Sequence, residues 1–440
     1  MAQLSHGDPK ALYRGRLRSL EEAAAMLRPV DMLAVPIAAG QPVSFLNALG
    51  AREFQDLLLF SGLVIQPYPL LQQPGVRLVS GFFGPIERML RSAGIRVDYL
   101  PADFLGWERY ALRAKPRVMA SAVAPMDERG YLSFGLHSGA TFHAFLEAAR
   151  DPQRLAIAEV NRHIPRVHGI GRYGGHRIHV SEVDCVVESE QPIFELPEIP
   201  VSEEDKVIAR HVESLIENGS TLQTGIGGVP NIVAQLLASG DKGDFGIHTE
   251  MLVDGVMHLH RAGKVTNHKG IFDGFTISTF ALGSAELYRW VHDNPEVRML
   301  PVTEVNDPGI IRRNRRMVSI NGALAIDLSG QVMADSIGPT QYSGVGGHEL
   351  FVMGASACVD GKSIICLHST ASVGGKPVST ILPALPSGTP VSTPRHHVQY
   401  VVTEHGIADL GMLTSRERRQ ALIGIAHPDF RPMLQDAEPK

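Results

Sequence analysis

The stretch LQTGIGGVPNIVAQLL, residues 222–237, predicts a short strand, a glycine-rich loop and a helix in immediate succession. Pro230 stands where prolines begin helices, because an N–H in the first turn has no partner to lose. Gly225, Gly227 and Gly228 would let backbone N–H groups approach an anion at the start of that helix. A tight strand–helix turn explains the loop equally well. Because Pro230 occupies the third glycine position of a dinucleotide fingerprint, we expect no nucleotide redox cofactor.

The same alternation of strand and helix patterns extends over the whole chain. Strands are predicted at 32–38, 57–65, 117–123, 154–160, 184–190, 221–226, 275–283, 317–328, 363–368 and 398–404. Helices are predicted at 19–27, 84–94 and 139–150. This order is typical of an α/β fold with largely parallel sheets.

A domain boundary is predicted in QPIFELPEIPVSEEDK, residues 191–206, where prolines interrupt both patterns. Ser202 and Asp205 then resemble a capping box, and apolar residues recur at helical spacing after them. A chain of 440 residues is too long for one ordinary core. We therefore predict two domains, 1–195 and 196–440.

Composition argues against several classes of protein. The formal net charge is −5, so no basic surplus is available for nucleic acid. No apolar run approaches about 20 residues, and the N-terminal sequence lacks the apolar region of a secretion signal. Cys185, Cys358 and Cys366 lie in apolar runs without metal-ligand spacing, as buried reduced thiols do. We expect a cytoplasmic protein without nucleic-acid or membrane partners.

Glu250 is the first candidate for chemistry. It lies in FGIHTEMLVDGVM, residues 245–257, which we interpret as a buried strand running into a turn. It follows Gly228 by 22 residues, a spacing that brings both to the carboxyl ends of neighbouring strands. There a carboxylate beside N–H donors can act as a nucleophile on an acyl group. A structural ion pair accounts for this glutamate equally well.

Two further glycine loops follow, at 344–347 and 374–375, the second preceding Lys376. Together the three loops suggest one extended ligand contacted by backbone. His248, His258, His260, His268, His396 and His397 do not follow a zinc motif, although His258 and His260 could share a strand face. We expect no metal. Arg312, Arg313, Arg315 and Arg316 form a basic cluster that is either a solvated face or a contact for cofactor phosphates.

The ordered motifs resemble the acetyl-CoA hydrolase/transferase family, which includes 4-hydroxybutyrate, butyrate and succinyl:acetate CoA-transferases. They are LQTGIGGVPNIV, GIHTEMLVDGV, EVNDPGIIRRNRRMVSINGALAIDLSGQV, GVGGHELFVMGA, STASVGGKP and YVVTEHGIADLGMLTSRERRQALIGIAHPDFR, preceded by DERGYLSFG and AEVNRHIPRVHG. The resemblance implies two CoA-transferase-type (NagB/RpiA-like) α/β domains with the site between them. It also implies acyl-CoA and a carboxylic acid as substrates, and a homodimer or larger homo-oligomer.

The resemblance implies a ping-pong mechanism in which Glu250 attacks the thioester and becomes a glutamyl-CoA thioester. It assigns catalytic roles to Glu250, Asn306 and Gly347, and CoA contacts to Gly227, Gly228, Val229, Pro230, Asn231, Asn321, Ser343, Gly346 and Lys376. Water in place of the acceptor acid would make the same site a hydrolase. A ligand sensor and a sugar-phosphate isomerase are weaker alternatives, because neither needs Glu250.

The chain departs from the family pattern at several positions near the site. Relatives read Gly-Gly-Gln-x-Asp-Phe-x-Arg-Gly where this chain has His348, Leu350 and Met353. Relatives read Ser-Thr-Ala-Lys-Gly-Gly-Lys where Ser372 replaces the first lysine, and the arginine usual after Leu410 is missing. These changes leave the acceptor acid open among 4-hydroxybutyrate, butyrate, acetate and a dicarboxylate such as itaconate or succinate, and the hypothesis that they suggest is a divergent subgroup that uses a dicarboxylate.

Overall fold

The computed structural model describes residues 8–197, 200–225 and 227–437. The chain forms two compact units, one of Met1–Leu196 with Ile277–Glu304 and one of Pro197–Thr276 with Val305–Lys440. The predicted division into domains 1–195 and 196–440 stays a prediction. The two compact units are not the same as these domains, because the segment 277–304 belongs to the first unit.

The first unit is built on a seven-stranded sheet. Its strands are β1 (Val30–Ala34), β2 (Asp56–Ser61), β3 (Val76–Ser80), β4 (Val97–Tyr99), β5 (Val118–Val123), β6 (Leu155–Asn161) and β7 (Cys185–Ser189). Their order across the sheet is β4-β3-β2-β1-β5-β6-β7, and every neighbouring pair is parallel. Alternating buried residues of β1, β2 and β3 enter one apolar core with side chains of the first helices.

The second unit repeats this plan with six strands. They are β8 (Thr221–Thr224), β9 (Gly246–Ile247), β10 (Met317–Gly322), β11 (Lys362–Cys366), β12 (Tyr400–Thr403) and β13 (Gly406–Asp409). Their order is β9-β8-β10-β11-β12-β13, parallel except for the antiparallel pair β12–β13. The parallel strands therefore bring their carboxyl ends to one edge, and their amino ends to the other.

Helices connect the strands in both units. In chain order they are α1 (Pro9–Arg16), α2 (Leu20–Ala25), α3 (Val43–Ala48), α4 (Pro85–Ser92), α5 (Phe104–Ala114), α6 (Phe142–Ala148), α7 (Glu203–Leu215), α8 (Gly228–Ser239), α9 (Asp254–Arg261), α10 (Ala285–Val291), α11 (Val302–Val305), α12 (Pro308–Ile311), α13 (His348–Ser356), α14 (Ser415–Gly424) and α15 (Arg431–Asp436). Within the described part of the chain, no helix has the length and apolarity needed to cross a bilayer.

Short strands complete the architecture. They are Tyr131–Ser133, Arg177–His179, Met251–Leu252, Thr276–Ser278, Phe280–Ala281, Val297–Met299, Ala325–Asp327, Val332–Met333, Ser336–Ile337, Thr340–Gln341, Thr370–Val373, Lys376–Ser379 and Ile381–Leu382. The α/β class with mostly parallel sheets is confirmed. The capping box is also confirmed, since Ser202 Oγ accepts from the Asp205 N–H and the Asp205 carboxylate accepts from the Ser202 N–H. All three cysteines are buried and free.

The prediction for residues 245–257 is wrong in two respects. The strand is interrupted after Ile247, and helix α9 begins at Asp254 where we expected a turn. Asp254 in the first helical turn is favourable at a helix N-terminus, a signal that the apolar run concealed. His258 and His260 consequently lie on a helix, where residues two apart point in different directions. The proposed shared strand face for these histidines does not exist.

Candidate active site

The glycine loop and Glu250 meet at the carboxyl edge of the second sheet. Gly227 caps α8 directly after β8, and Glu250 follows the neighbouring strand β9. Gly227 has a φ of 142°, a backbone conformation that side chains rarely allow, so glycine is required at this start of the helix. Ligands of α/β proteins bind at this edge of the sheet.

Glu250, Asn306 and Gly347 form one tight cluster. The Asn306 side-chain amide donates to Glu250 Oε2 at 2.5 Å. A Cβ on Gly347 would lie 2.0 Å from that same oxygen and 2.3 Å from the Asn306 Nδ2. Gly347 is the residue that caps helix α13. Only glycine therefore allows the helix start to approach the carboxylate this closely, and the three predicted catalytic residues are brought together.

The surroundings of Glu250 disfavour its charged form. Burial of the carboxyl group raises its pKa from 4.5 to about 7, and the hydrogen bond from Asn306 only partly offsets this effect. The group is therefore ionised in a substantial fraction of molecules near neutral pH, and its anion is poorly solvated. A poorly solvated carboxylate is a stronger nucleophile than one in water.

His248 and Thr249 hold the chain around Glu250 in place. Fully buried His248 donates from Nε2 to the Val305 carbonyl, at 2.8 Å, and its Nδ1 accepts from the Asn314 amide at 3.1 Å. Burial lowers the pKa of His248 to about 4, so this imidazole is neutral. Thr249 Oγ1 donates to backbone carbonyls. His248 thus ties the segment before Glu250 to the residue before Asn306.

A second group of predicted residues lines one cleft of about 230 Å³. It comprises Gly227, Gly228, Val229, Pro230 and Asn321. Asn321 donates to the Gln223 side chain at 3.4 Å, which links the ends of β8 and β10. The cleft also lies at the carboxyl ends of β8, β10 and β11, so the glycine loop is part of a concave surface. Asn231 is in helix α8 and does not line it.

Two residues of this cleft were missed from the sequence. His368 Nε2 lies 2.9 Å from Asp205 Oδ1, and both side chains face the cleft. Burial opposes ionisation of Asp205, but hydrogen bonds from Ser202 and His368 outweigh it and lower the pKa of the carboxyl group. A Cβ on Gly228 would lie 2.6 Å from this carboxylate. The capping box contained Asp205, but nothing in sequence connected it to a residue 163 positions later.

Three further predicted contacts, Ser343, Gly346 and Lys376, do not line the glycine-loop cleft, and Gly346 directly precedes Gly347 of the Glu250 cluster. Ser343 is held by its backbone, which donates to the Asp335 carbonyl, and Gly346 adopts a φ of 54° in the next turn. Lys376 is exposed on a hairpin formed by Thr370–Val373 and Lys376–Ser379. Gly374 and Gly375 both have positive φ, as a two-residue hairpin turn requires. The third glycine pair is therefore a hairpin turn and not a helix start.

The departures from the family pattern concentrate on helix α13. Leu350 is buried, and Met353, which is partly buried, lies three residues further along the helix. His348 Nε2 is buried without a hydrogen-bond partner among the described residues, and burial lowers the pKa of this histidine to about 4.

The arginine cluster lies at the opposite edge of the sheet. Arg316 precedes the first residue of β10, whereas Asn321 and the cleft lie at the other end of that strand. A strand of six residues spans about 20 Å. The hypothesis that these arginines meet the phosphates of a ligand held at the glycine loop is therefore not supported.

Comparison with known proteins defines the class as CoA-transferase. The model of the acetyl-CoA hydrolase/transferase C-terminal domain matches residues 283–438. A succinyl-CoA:cyclohexane-1-carboxylate CoA transferase of Geobacter metallireducens is 38% identical over 97% of this chain and 95% of its own length. The 4-hydroxybutyrate coenzyme A transferase of Clostridium kluyveri is 38% identical over 97% of both chains.

The crystal structure of RipA from Yersinia pestis superposes with a TM-score of 0.89 at 36% identity, covering 98% of both chains. With this identity over nearly the full length, the chain belongs to the acetyl-CoA hydrolase/transferase family. The predictions of the family and of an enzyme of the CoA-transferase type are confirmed. For the metal, the described residues contain no group of three histidine, cysteine, aspartate or glutamate side chains able to hold an ion.

The close contact at Gly347 generates a prediction. Gly347→Ala places a methyl group inside van der Waals distance of Glu250 Oε2 and should displace the carboxylate. We expect kcat/KM for CoA transfer to fall by about 100-fold, the cost of misplacing a reacting group by about 1 Å. The matched control is Gly424→Ala in helix α14, where a Cβ meets nothing within 4 Å. Equal rates for the two variants, with both folded by circular dichroism, would contradict the contact.

Proposed function

We propose that this protein transfers CoA from an acyl-CoA to a short-chain carboxylic acid through a glutamyl-CoA thioester on Glu250. The observation that carries the proposal is the poorly solvated Glu250 carboxyl group, hydrogen-bonded by Asn306 and pressed against Gly347. A nucleophilic role fits this geometry, because a reacting carboxylate needs both a fixed position and weak solvation.

The reaction is a sequence of acyl exchanges with no net proton transfer. The Glu250 carboxylate attacks the thioester carbonyl, the C–S bond breaks, and a mixed anhydride and CoA thiolate result. The thiolate attacks the glutamyl carbonyl and expels the donor's carboxylate, which leaves the glutamyl-CoA thioester. The acceptor carboxylate then reverses both steps and departs as the new acyl-CoA.

The protein contributes three effects to these steps. Burial raises the free energy of the ionised Glu250 more than that of the transition state, whose charge is spread over more atoms, so the barrier to attack is lower than in water. Asn306 orients the carboxylate by holding Oε2. Gly347, at the start of helix α13, supplies a backbone N–H as the candidate donor for the oxyanion.

The glycine-loop cleft is the proposed contact for CoA. Gly227, Gly228, Val229, Pro230 and Asn321 line it, and the first N–H groups of α8 favour a nearby phosphate. Its volume of about 230 Å³ is below the roughly 300–1,000 Å³ of a pocket that encloses a drug-sized ligand. The cleft therefore receives one segment of CoA. Asn231, Ser343, Gly346 and Lys376 remain proposed contacts for the rest.

The proposed acceptor acid rests on the positions at which this chain departs from the family pattern. Acetate, butyrate and 4-hydroxybutyrate are candidates by likeness to relatives. His348, Leu350, Met353 and Ser372 change the region that we assign to the acyl group or pantetheine, and they favour a dicarboxylate such as itaconate or succinate. Cytoplasmic location and a homodimer or larger assembly stay predictions.

Trapping of the intermediate tests the mechanism. After incubation with acyl-CoA, borohydride should reduce the glutamyl thioester, and peptide mass spectrometry should locate the change at Glu250. Glu250→Gln keeps the shape of the side chain, so it should fold normally, show no reduction product and lose at least about 1,000-fold in kcat. Full activity in Glu250→Ala or Glu250→Asp, or reduction at another residue, would refute the proposal.

A panel of acceptors tests the substrate class and the hydrolase alternative. With one acyl-CoA donor, we expect itaconate or succinate to give a higher kcat/KM than acetate, butyrate or 4-hydroxybutyrate. Uniformly better monocarboxylates would contradict the dicarboxylate preference and leave the transferase intact. Thiol release without any acceptor should be slow compared with transfer; release at the transfer rate would identify a hydrolase.

A further inference from the structure

The arginine cluster has a place in the fold that the proposed reaction does not use. Arg312, Arg313, Arg315 and Arg316 line a concavity of about 350 Å³, which we call the arginine concavity. Asn314, Val359 and Asp360 complete its lining. We propose that the arginine concavity binds a small anion carrying two or more phosphate groups, and that its occupancy changes the rate of CoA transfer. The second half of the proposal rests on the proposed function.

The charges of the concavity are poorly neutralised. Neither Arg312 nor Arg313 forms an ion pair with a carboxylate of the described residues. Arg315 Nη1 lies 3.6 Å from Asp244 Oδ2, and both side chains are nearly half exposed. Pairs of this kind contribute little, so the guanidinium remains available to a ligand.

Arg316 is also incompletely neutralised by the acidic residues around the concavity. Arg316 Nη1 is 3.7 Å from Glu217 Oε2, but Lys362 holds the other oxygen of that glutamate at 2.6 Å. Asp360 is the acidic side chain of the lining. The lining thus contains four arginines and one carboxylate. The two carboxylates outside the lining neutralise them only weakly, because Asp244 is 3.6 Å from Arg315 and Glu217 also pairs with Lys362.

The residue type selects the ligand class. A guanidinium presents N–H donors in a planar fork that matches phosphate oxygens, and several together suit adjacent phosphate groups better than a single carboxylate. Two non-glycine residues of the lining, Arg316 and Asp360, have positive φ, at 45° and 56°. Such backbone is costly and persists where the surrounding structure fixes it. The backbone that forms the concavity is therefore held in a fixed conformation by the surrounding structure.

The concavity is separate from the proposed CoA cleft. It lies at the amino ends of β10 and β11, since Arg316 precedes Met317 and Asp360 precedes Lys362 by two residues. The cleft lies at the carboxyl ends of the same strands. One ligand held at the glycine loop does not fill both, so occupancy of the concavity requires a second molecule.

A continuous segment links the concavity to the reacting group. Asn306 is followed by helix α12 and then directly by Arg312. Asn314, between the two arginine pairs, donates to His248 Nδ1 at 3.1 Å and to the Ile311 carbonyl at 2.8 Å. His248 in turn donates to the Val305 carbonyl. An anion that draws the arginines together would act on Asn314, and through His248 on the positions of Glu250 and Asn306.

Calorimetric titration with pyrophosphate tests the binding. We expect saturable binding to the wild-type protein that weakens with added salt. Arg312→Ala/Arg313→Ala should bind at least about tenfold more weakly, since each lost charged hydrogen bond is worth about a factor of ten. Arg109→Ala/Arg113→Ala removes the same charge from exposed positions of helix α5 and should bind like wild type.

Binding that is absent in wild type, or equal in both double variants, would overturn the site. Titration with ADP in place of pyrophosphate distinguishes a nucleotide ligand from a free polyphosphate. Tighter binding of ADP would indicate a contact with the base, and equal or weaker binding would indicate a free polyphosphate. Either result supports a ligand with two or more phosphate groups.

Transfer assays test the coupling. Saturating pyrophosphate should change kcat at least about twofold in wild type and leave kcat unchanged in Arg312→Ala/Arg313→Ala. Competition at the CoA cleft would instead raise KM for acyl-CoA equally in both proteins, and would overturn the coupling. A wild-type protein that binds pyrophosphate but transfers no CoA would refute the proposed function and leave the binding site standing.

Discussion

The contact of Glu250 with Asn306 and Gly347 is the constraint on which the second unit depends. A carboxylate that has lost most of its water is unfavourable unless the surrounding chain holds it firmly. Here the hydrogen bond from Asn306 and the close approach of Gly347 fix Oε2, and neutral, buried His248 ties the segment before Glu250 to Val305, the residue before Asn306. A charged histidine at that position would be less stable, because burial disfavours the charged form of the imidazole. The site thus combines a raised carboxyl pKa with strict geometry, which suits a nucleophile better than a structural acid.

The parallel sheet of the second unit separates the two surfaces that we propose as binding sites. Its carboxyl edge carries the glycine-loop cleft and Glu250, and its amino edge carries the arginine concavity. Both follow from strand direction, since β8, β9, β10 and β11 all run the same way. The segment from Asn306 to Arg316 connects the two edges, and Asn314 fastens it to His248. The arrangement explains how one run of sequence can carry Asn306, beside Glu250, and a basic cluster at the amino edge of the sheet.

The sequence predicted local features well and distant contacts poorly. Alternating apolar patterns located β1, β2, β5, β6 and β7, and the capping box located the start of α7. The strands Val76–Ser80 and Val97–Tyr99 were missed. The start of α9 at Asp254 was also missed, because the apolar run around it is compatible with a strand and with a helix. Only the fold joins Asp205 to His368, and only backbone angles reveal that Gly374 and Gly375 form a hairpin turn. Glu250 and Asn306 were linked by resemblance, 56 positions apart, and the hydrogen bond between them supplies the physical reason.

The account depends most on the protonation of Glu250, which carbon-13 NMR of labelled glutamate can follow directly. The resonance that disappears in Glu250→Gln should titrate with a pKa of about 7. In Asn306→Ala the same resonance should titrate at a higher pH, because the hydrogen bond that stabilises the ionised form is gone. A carboxyl group that titrates near its ordinary value of 4.5, and does not respond to Asn306, would contradict the account.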